Sequence, residues 1–240
     1  SDNLPGFVVT TDGAMKAGGG VWGNAFLPAS HQGTKLNASG SPIPNLKSSM
    51  ASEEQLKMLR YMKQLDAGTS PELEARIKSY ELAFQMQTSA PEALDIDRES
   101  QATRDLYGEN RFSKQCLMAR RLVERGVRMV QVYNGCSSGD EWDTHHNNFN
   151  RHKKLMRNID QGCAGLLADL KSRGMLEDTL VIWSGEFGRT PTTEKSHGRD
   201  HNPYGFCGWM AGGGVKGGQV IGSTDEIGFR AAEDKVHVHD

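Results

Sequence analysis

Twice in this chain a run with helical periodicity closes on a glycine and gives way to a strand-forming stretch. Residues 112–125 are followed by Gly126 and then by 127–133 (VRMVQVY). Residues 150–173 are followed by Gly174 and then, after a short link, by 179–183 (TLVIW). In the second unit Leu155, Ile159, Leu166, Leu167 and Leu170 fall on one helical side. Helix–strand–helix–strand order predicts an α/β fold, a mainly parallel sheet flanked by helices. Its near-continuous apolar, β-branched run makes 179–183 the strand expected to be buried on both faces.

The rest of the chain is read around that frame. Residues 7–10 (FVVT) are a short strand candidate, as are 206–211 and 219–221. Residues 13–23 form a glycine-rich loop that contains neither GxGxxG nor GxxxxGK, so a nucleotide cradle is not indicated. Residues 24–46 hold Pro28, Gly33, Gly40, Pro42 and Pro44 and read as a long surface excursion. Residues 52–109 read as a helical excursion. Ser52 to Gln55 resembles a capping box, Gly68 ends the first helix, and Ser70-Pro71 starts a second with Leu73, Ile77, Tyr80 and Phe84 as its stripe. A short third helix is expected over 100–107, and the methionines of this section read as packing.

Composition excludes several classes. A formal net charge of -2 gives no electrostatic footprint for nucleic acid or an acidic membrane. No 20-residue apolar segment is present, so no membrane-spanning segment is expected. The four cysteines have no CxxC spacing, which disfavours a structural zinc site. Cys116, Cys163 and Cys207 are expected to be buried thiols.

Chemistry concentrates in two polar loops, each following a predicted strand. The first offers Asp140, Glu141, Asp143, His145, His146 and Asn147; the second offers Glu186, His197, Asp200 and His201. Ligands of open parallel sheets bind beyond the carboxyl ends of the strands, where the two loops are expected to meet. Carboxylates with imidazoles suit a divalent ion, which would polarise an ester oxygen or acidify a bound water. Adjacent side chains diverge, so His145 and His146 are not expected to share one ligand shell. His152, among basic neighbours on a helix, reads as solvated. Arg189 offers a planar fork for phosphate, sulfate or carboxylate oxygens, or an ion pair with Glu186 or Glu194.

The segments Gly185-Glu-Phe-Gly-Arg-Thr-Pro191, Gly198-Arg-Asp-His-Asn202 and Trp142-Asp-Thr-His145 carry a resemblance. Together with 4–9 and 22–28 they resemble a bacterial family of unknown function whose members are sulfatase-like proteins of the alkaline phosphatase superfamily. The resemblance implies an alkaline phosphatase/sulfatase-like α/β domain and a site built on a divalent metal: zinc, manganese or calcium. It assigns Asp143, His145, Glu186 and His201 as metal ligands and Arg189 as the catalytic residue holding the ester's anionic oxygens. Phe187 stands where the superfamily carries a second ligand beside the carboxylate. The resemblance also places a first strand and nucleophile-bearing loop before Ser1. The chain is therefore read as residues 1–240 of one domain, an internal fragment lacking that strand and the C-terminal end, with little activity expected of it alone. Export or a periplasmic location is implied in the same way.

The function expected from these readings is a metal-dependent hydrolase acting on a small anionic substrate, a phosphate or sulfate ester. A non-catalytic metal- or ligand-binding protein is the alternative, supported by the histidine missing at Phe187. A mutase or phosphotransferase of the same superfamily is a second alternative. Ser184 and Thr190 are the hydroxyls nearest the site, and neither lies in a nucleophile motif.

Overall fold

The computed structural model describes residues 3–11, 13, 18–28, 31–37, 41–44, 46–65, 70–135 and 141–237. The chain forms two compact units, Ser1–Gly139 and Asp140–Asp240. Both contain helices and strands, and the architecture is mixed α/β. The expected stop at Gly68, and Asp140 and Cys136, lie outside the described residues.

The first unit is built on a three-stranded parallel sheet. Its strands are β1 (Phe7–Thr11), β2 (Thr34–Asn37) and β3 (Met129–Val132), in the order β2-β1-β3. Val8 is level with Thr34 on one side and with Val130 on the other. The central strand is the buried one: Val8, Val9 and Thr10 are closed to solvent. β2 comes from within 24–46, the stretch that reads as an excursion. Its four residues, TKLN, carry one apolar side chain, Leu36, so no periodicity marks them.

Four helices follow the sheet's first two strands: α1 (Ser52–Leu65), α2 (Pro71–Leu94), α3 (Gln101–Tyr107) and α4 (Arg111–Glu124). Local chemistry sets their starts. Ser70 Oγ accepts the Leu73 N–H at 3.2 Å with Pro71 in the first turn, Ser100 Oγ accepts that of Thr103, and Asn110 Oδ1 accepts that of Ser113. The helical section is more than an excursion. Met86, Ala90, Ala93 and Leu94 of α2 join Leu4, Val8, Leu36, Met118, Leu122 and Val127 in one buried cluster. The C-terminal half of α2 therefore contributes to the core, where Met86 serves as packing, as expected, and Met118 of α4 packs beside it.

A charged lattice ties α2 to α4. Arg120 and Arg121 are buried, and both reach Glu99: Arg120 Nη2 at 2.8 Å, and Arg121 through Nη1. Arg121 also donates to the Ala93 and Glu92 carbonyls near the end of α2, at 3.0 and 2.7 Å. The guanidinium of Arg125 holds the Glu92 carboxyl down at about 2.

Among the described residues, the second unit carries α5 (Asn148–Ser172) and three short antiparallel pairs. They are β4 (Val181–Trp183) with β7 (Trp209–Ala211), β5 (Gly188–Arg189) with β6 (His201–Asn202), and β8 (Ser223–Thr224) with β9 (Ala231–Glu233). This corrects the mainly parallel sheet. β3 and β4 belong to different sheets, and among the described residues parallel pairing is confined to β1–β3. β4 is not a strand buried on both faces: Ile182 is 58% exposed, and Trp183 stacks on Trp209 across the ribbon, centroids 6.4 Å apart. An apolar run looks alike in a buried parallel strand and in an aromatic-clasped ribbon, and only the partner distinguishes them.

Residues 219–221 are not a strand; Val220 is 95% exposed, and β8 starts two residues later. Cys116 is buried, but Cys163 is half-buried and Cys207 exposed. Among the described residues, no helix is long and apolar enough to cross a membrane.

Candidate metal centre

The centre lies within the second unit and rests on two backbone devices. The first is the β5–β6 pair, which sets Arg189 level with His201. Its ladder continues through the Thr190 N–H donating to the Asp200 carbonyl at 2.9 Å, until Pro191 ends the strand. Gly188 allows the close approach, because a Cβ there would run into the Gly205 carbonyl and lie 2.9 Å from the Phe206 Cβ.

The second device is a tight hairpin between Glu194 and Gly198. The Glu194 N–H donates to the Gly198 carbonyl at 3.0 Å, and the Gly198 N–H returns to the Glu194 carbonyl at 2.7 Å. This hairpin is laced to the loop before α5. The Asn147 N–H donates to the Ser196 carbonyl at 2.8 Å, and the Arg199 N–H to the Thr144 carbonyl at 3.0 Å. Gly198 is buried directly against the His145 backbone; a Cβ there would collide with the His145 carbonyl and lie 2.6 Å from the His146 nitrogen.

These devices bring Asp143, His145 and His201 together. His145 Nε2 lies 3.0 Å and His201 Nε2 2.9 Å from Asp143 Oδ1. One ligand atom from each of the three falls within 4.8 Å of the others. A second set, His145, Glu194 and Asp200, meets the same criterion around the other ring nitrogen, Nδ1. The two loops thus converge, but not at the edge of a shared sheet: the 194–199 hairpin and the β5–β6 pair hold them.

Of the four ligands expected, Glu186 stays out of both sets. Its side chain is 68% exposed, with Arg189 Nη2 4.0 Å away. Glu194 and Asp200 are the carboxylates brought to the Nδ1 side of the His145 ring, 2.7 and 3.9 Å away. Glu194 gave no signal as a ligand because no periodic spacing links it to His145; the hairpin alone carries it there. Arg189 donates from Nη1 to Asp143 Oδ1 at 2.8 Å. Its ion-pair partners are thus Asp143 and, more distantly, Glu186, not Glu194. Phe187 packs its ring 4.4 Å from that of His201 and so buttresses it.

The surrounding wall is polar and partly buried. Thr144 is fully buried, its hydroxyl donating to Asn148 Oδ1. His152 is not solvated as expected. It is half-buried, with its ring 5.4 Å from Trp142, and burial pushes its imidazole below the ordinary value. Burial pushes the Asp143 carboxyl up, but hydrogen bonds from His201 and Arg189 outweigh it and hold the group well below the usual range. The hydrogen bond to Glu194, with the nearby Asp143 charge, raises His145.

A mixed α/β chain whose second unit gathers two histidines and a carboxylate around one point defines a candidate metal-binding protein. The chain belongs to the family DUF1501, described as a protein of unknown function, which matches residues 1–240. Comparison with curated proteins and with solved structures found no match. The resemblance to sulfatases and the alkaline phosphatase superfamily is therefore corrected. The GEFGRTP and WDTH segments belong to a chain whose whole length matches a family with no such assignment.

Proposed function

We propose that the second unit binds one divalent metal through Asp143, His145 and His201, and that the centre serves a metal-dependent hydrolase of small phosphate or sulfate esters. The observation that carries this reading is the meeting of two imidazole nitrogens at one carboxylate oxygen, 2.9 and 3.0 Å away. Ligands about 2.0–2.2 Å from a shared zinc stand roughly 3 Å or more apart, so the three donors need little movement. Two imidazoles and a carboxylate suit zinc or manganese; calcium asks for six to eight oxygens. Bound there, a divalent ion supplies Lewis-acid polarisation of an ester oxygen and an activated water.

The chain's own residues supply the rest. Arg189 adds positive charge beside the centre, and its Nη2 lies on the side of the exposed Glu186. Phe187 keeps His201 in place. Binding without turnover is the second reading, and one observation favours it. The Ser184 and Thr190 hydroxyls are spent on local turns, Ser184 donating to the Gly185 carbonyl at 2.9 Å and Thr190 to that of Thr192 at 3.1 Å, and that of Thr144 is buried on Asn148.

The test is zinc- or manganese-dependent release of nitrophenol from aryl phosphate and aryl sulfate, with wild type beside His201→Ala. Turnover that requires metal and His201 supports the hydrolase. Metal binding without turnover supports the second reading. Failure to bind metal removes both.

A further inference from the structure

We propose that Glu194 is the positioning residue of this centre: it holds the Nδ1 proton of His145 and thereby turns the Nε2 lone pair toward Asp143 and His201. The proposal rests on the metal reading above and decides between the two overlapping ligand sets.

Both sets share one imidazole, and a neutral imidazole offers one lone pair and one N–H. It can ligate through one nitrogen while the other donates a hydrogen bond. Distances assign the roles. His145 Nδ1 is 2.7 Å from Glu194 Oε2, a charge-assisted hydrogen-bond length, and 3.9 Å from Asp200 Oδ1. Asp200 is 61% exposed. On the opposite side of the ring, Nε2 faces the oxygen that His201 also reaches. The Glu194 side therefore carries the proton, and the Asp143 side is left for the ion.

The backbone fixes this choice. Glu194 and Gly198 exchange two hydrogen bonds, and Gly198 lies against the His145 carbonyl, so carboxylate and imidazole belong to one laced unit. Lys195 and His197, within that hairpin, hold left-handed φ values of 41° and 60°, a conformation non-glycine residues rarely adopt. A carboxylate behind a metal-bound histidine fixes its tautomer and raises its basicity, and losing such a partner typically lowers metal affinity about 10–100-fold.

The experiment titrates zinc into wild type, Glu194→Ala, Glu194→Gln and Asp200→Asn by competition with a chromophoric chelator. Long-range proton–nitrogen correlation spectra of the zinc-loaded wild type report the His145 tautomer. Glu194→Ala is expected to lose about 10–100-fold in affinity. Glu194→Gln, which keeps an acceptor but not the charge, should lose less, and Asp200→Asn should stay within about threefold, as for an exposed charge. The ring should carry its proton on Nδ1. Circular dichroism and the urea midpoint show whether Glu194→Ala is folded, and the isosteric Glu194→Gln carries the test if it is not. Wild-type zinc binding with an unaffected Glu194→Ala, with equal losses in Asp200→Asn and Glu194→Ala, or with the proton on Nε2, would overturn the positioning role while leaving a metal site. Absence of zinc binding in wild type would overturn the metal reading itself.

Discussion

Gly198→Ala is the smallest change that should dismantle the centre without touching a ligand. The added Cβ would collide with the His145 carbonyl and lie 2.6 Å from the His146 nitrogen, and both are backbone. No flexible side-chain end can yield, so the 194–199 hairpin and the 144–147 loop must part by something on the order of 1 Å. Overpacking of a closed site costs about 1–3 kcal/mol. The separation also stretches the Arg199-to-Thr144 and Asn147-to-Ser196 hydrogen bonds, 3.0 and 2.8 Å in the native structure, each contributing about 0.5–1.5 kcal/mol. A loss of about 2–4 kcal/mol is expected in urea denaturation of the metal-free protein, partial relaxation absorbing the remainder. Zinc affinity should fall by at least tenfold, because His145 and Glu194 move apart. If Gly198→Ala keeps the wild-type urea midpoint and zinc affinity, the close packing of these two loops is not what forms the site.

Other expectations concern charge and capping. Glu99→Gln removes the charge shared by the buried Arg120 and Arg121; with Glu124 and Glu92 still near them, a loss of about 3 kcal/mol is expected, read from guanidinium denaturation. Ser70→Ala should cost about 1 kcal/mol through the lost cap of α2, measured the same way. In the metal-free protein His145, raised from 6.5, contributes stability that is full below that value and fades as pH rises through the higher folded one. Asp143, lowered from 3.8, contributes stability that is full above that value and is lost as pH falls through the lower folded one. The urea-midpoint gap between wild type and His145→Asn should therefore narrow from pH 6 toward 9, and zinc should reverse that trend, because metal and proton compete for the ring.

The helices were legible because their signals are local: Ser70-Pro71 and Ser100 start helices in the structure as caps do in any helix. The strand at 7–10 was equally visible, since an unbroken apolar run needs a buried place. Pairing was not legible. Nothing in VRMVQVY or TLVIW states that one joins β1 in parallel and the other clasps Trp209–Ala211 in reverse. Residue type alone marked Asp143, His145 and His201, which the structure brings together. The approach of Glu194 to His145 was not legible, because a five-residue hairpin with two left-handed backbones decides which carboxylate returns to the imidazole.

The most direct test of the metal centre is zinc stoichiometry by elemental analysis after equilibrium dialysis, comparing wild type with Asp143→Asn and His201→Ala. One zinc per wild-type chain is expected, with near-background metal in both variants at the same free zinc. Equal zinc in all three proteins, or none in wild type, would contradict it.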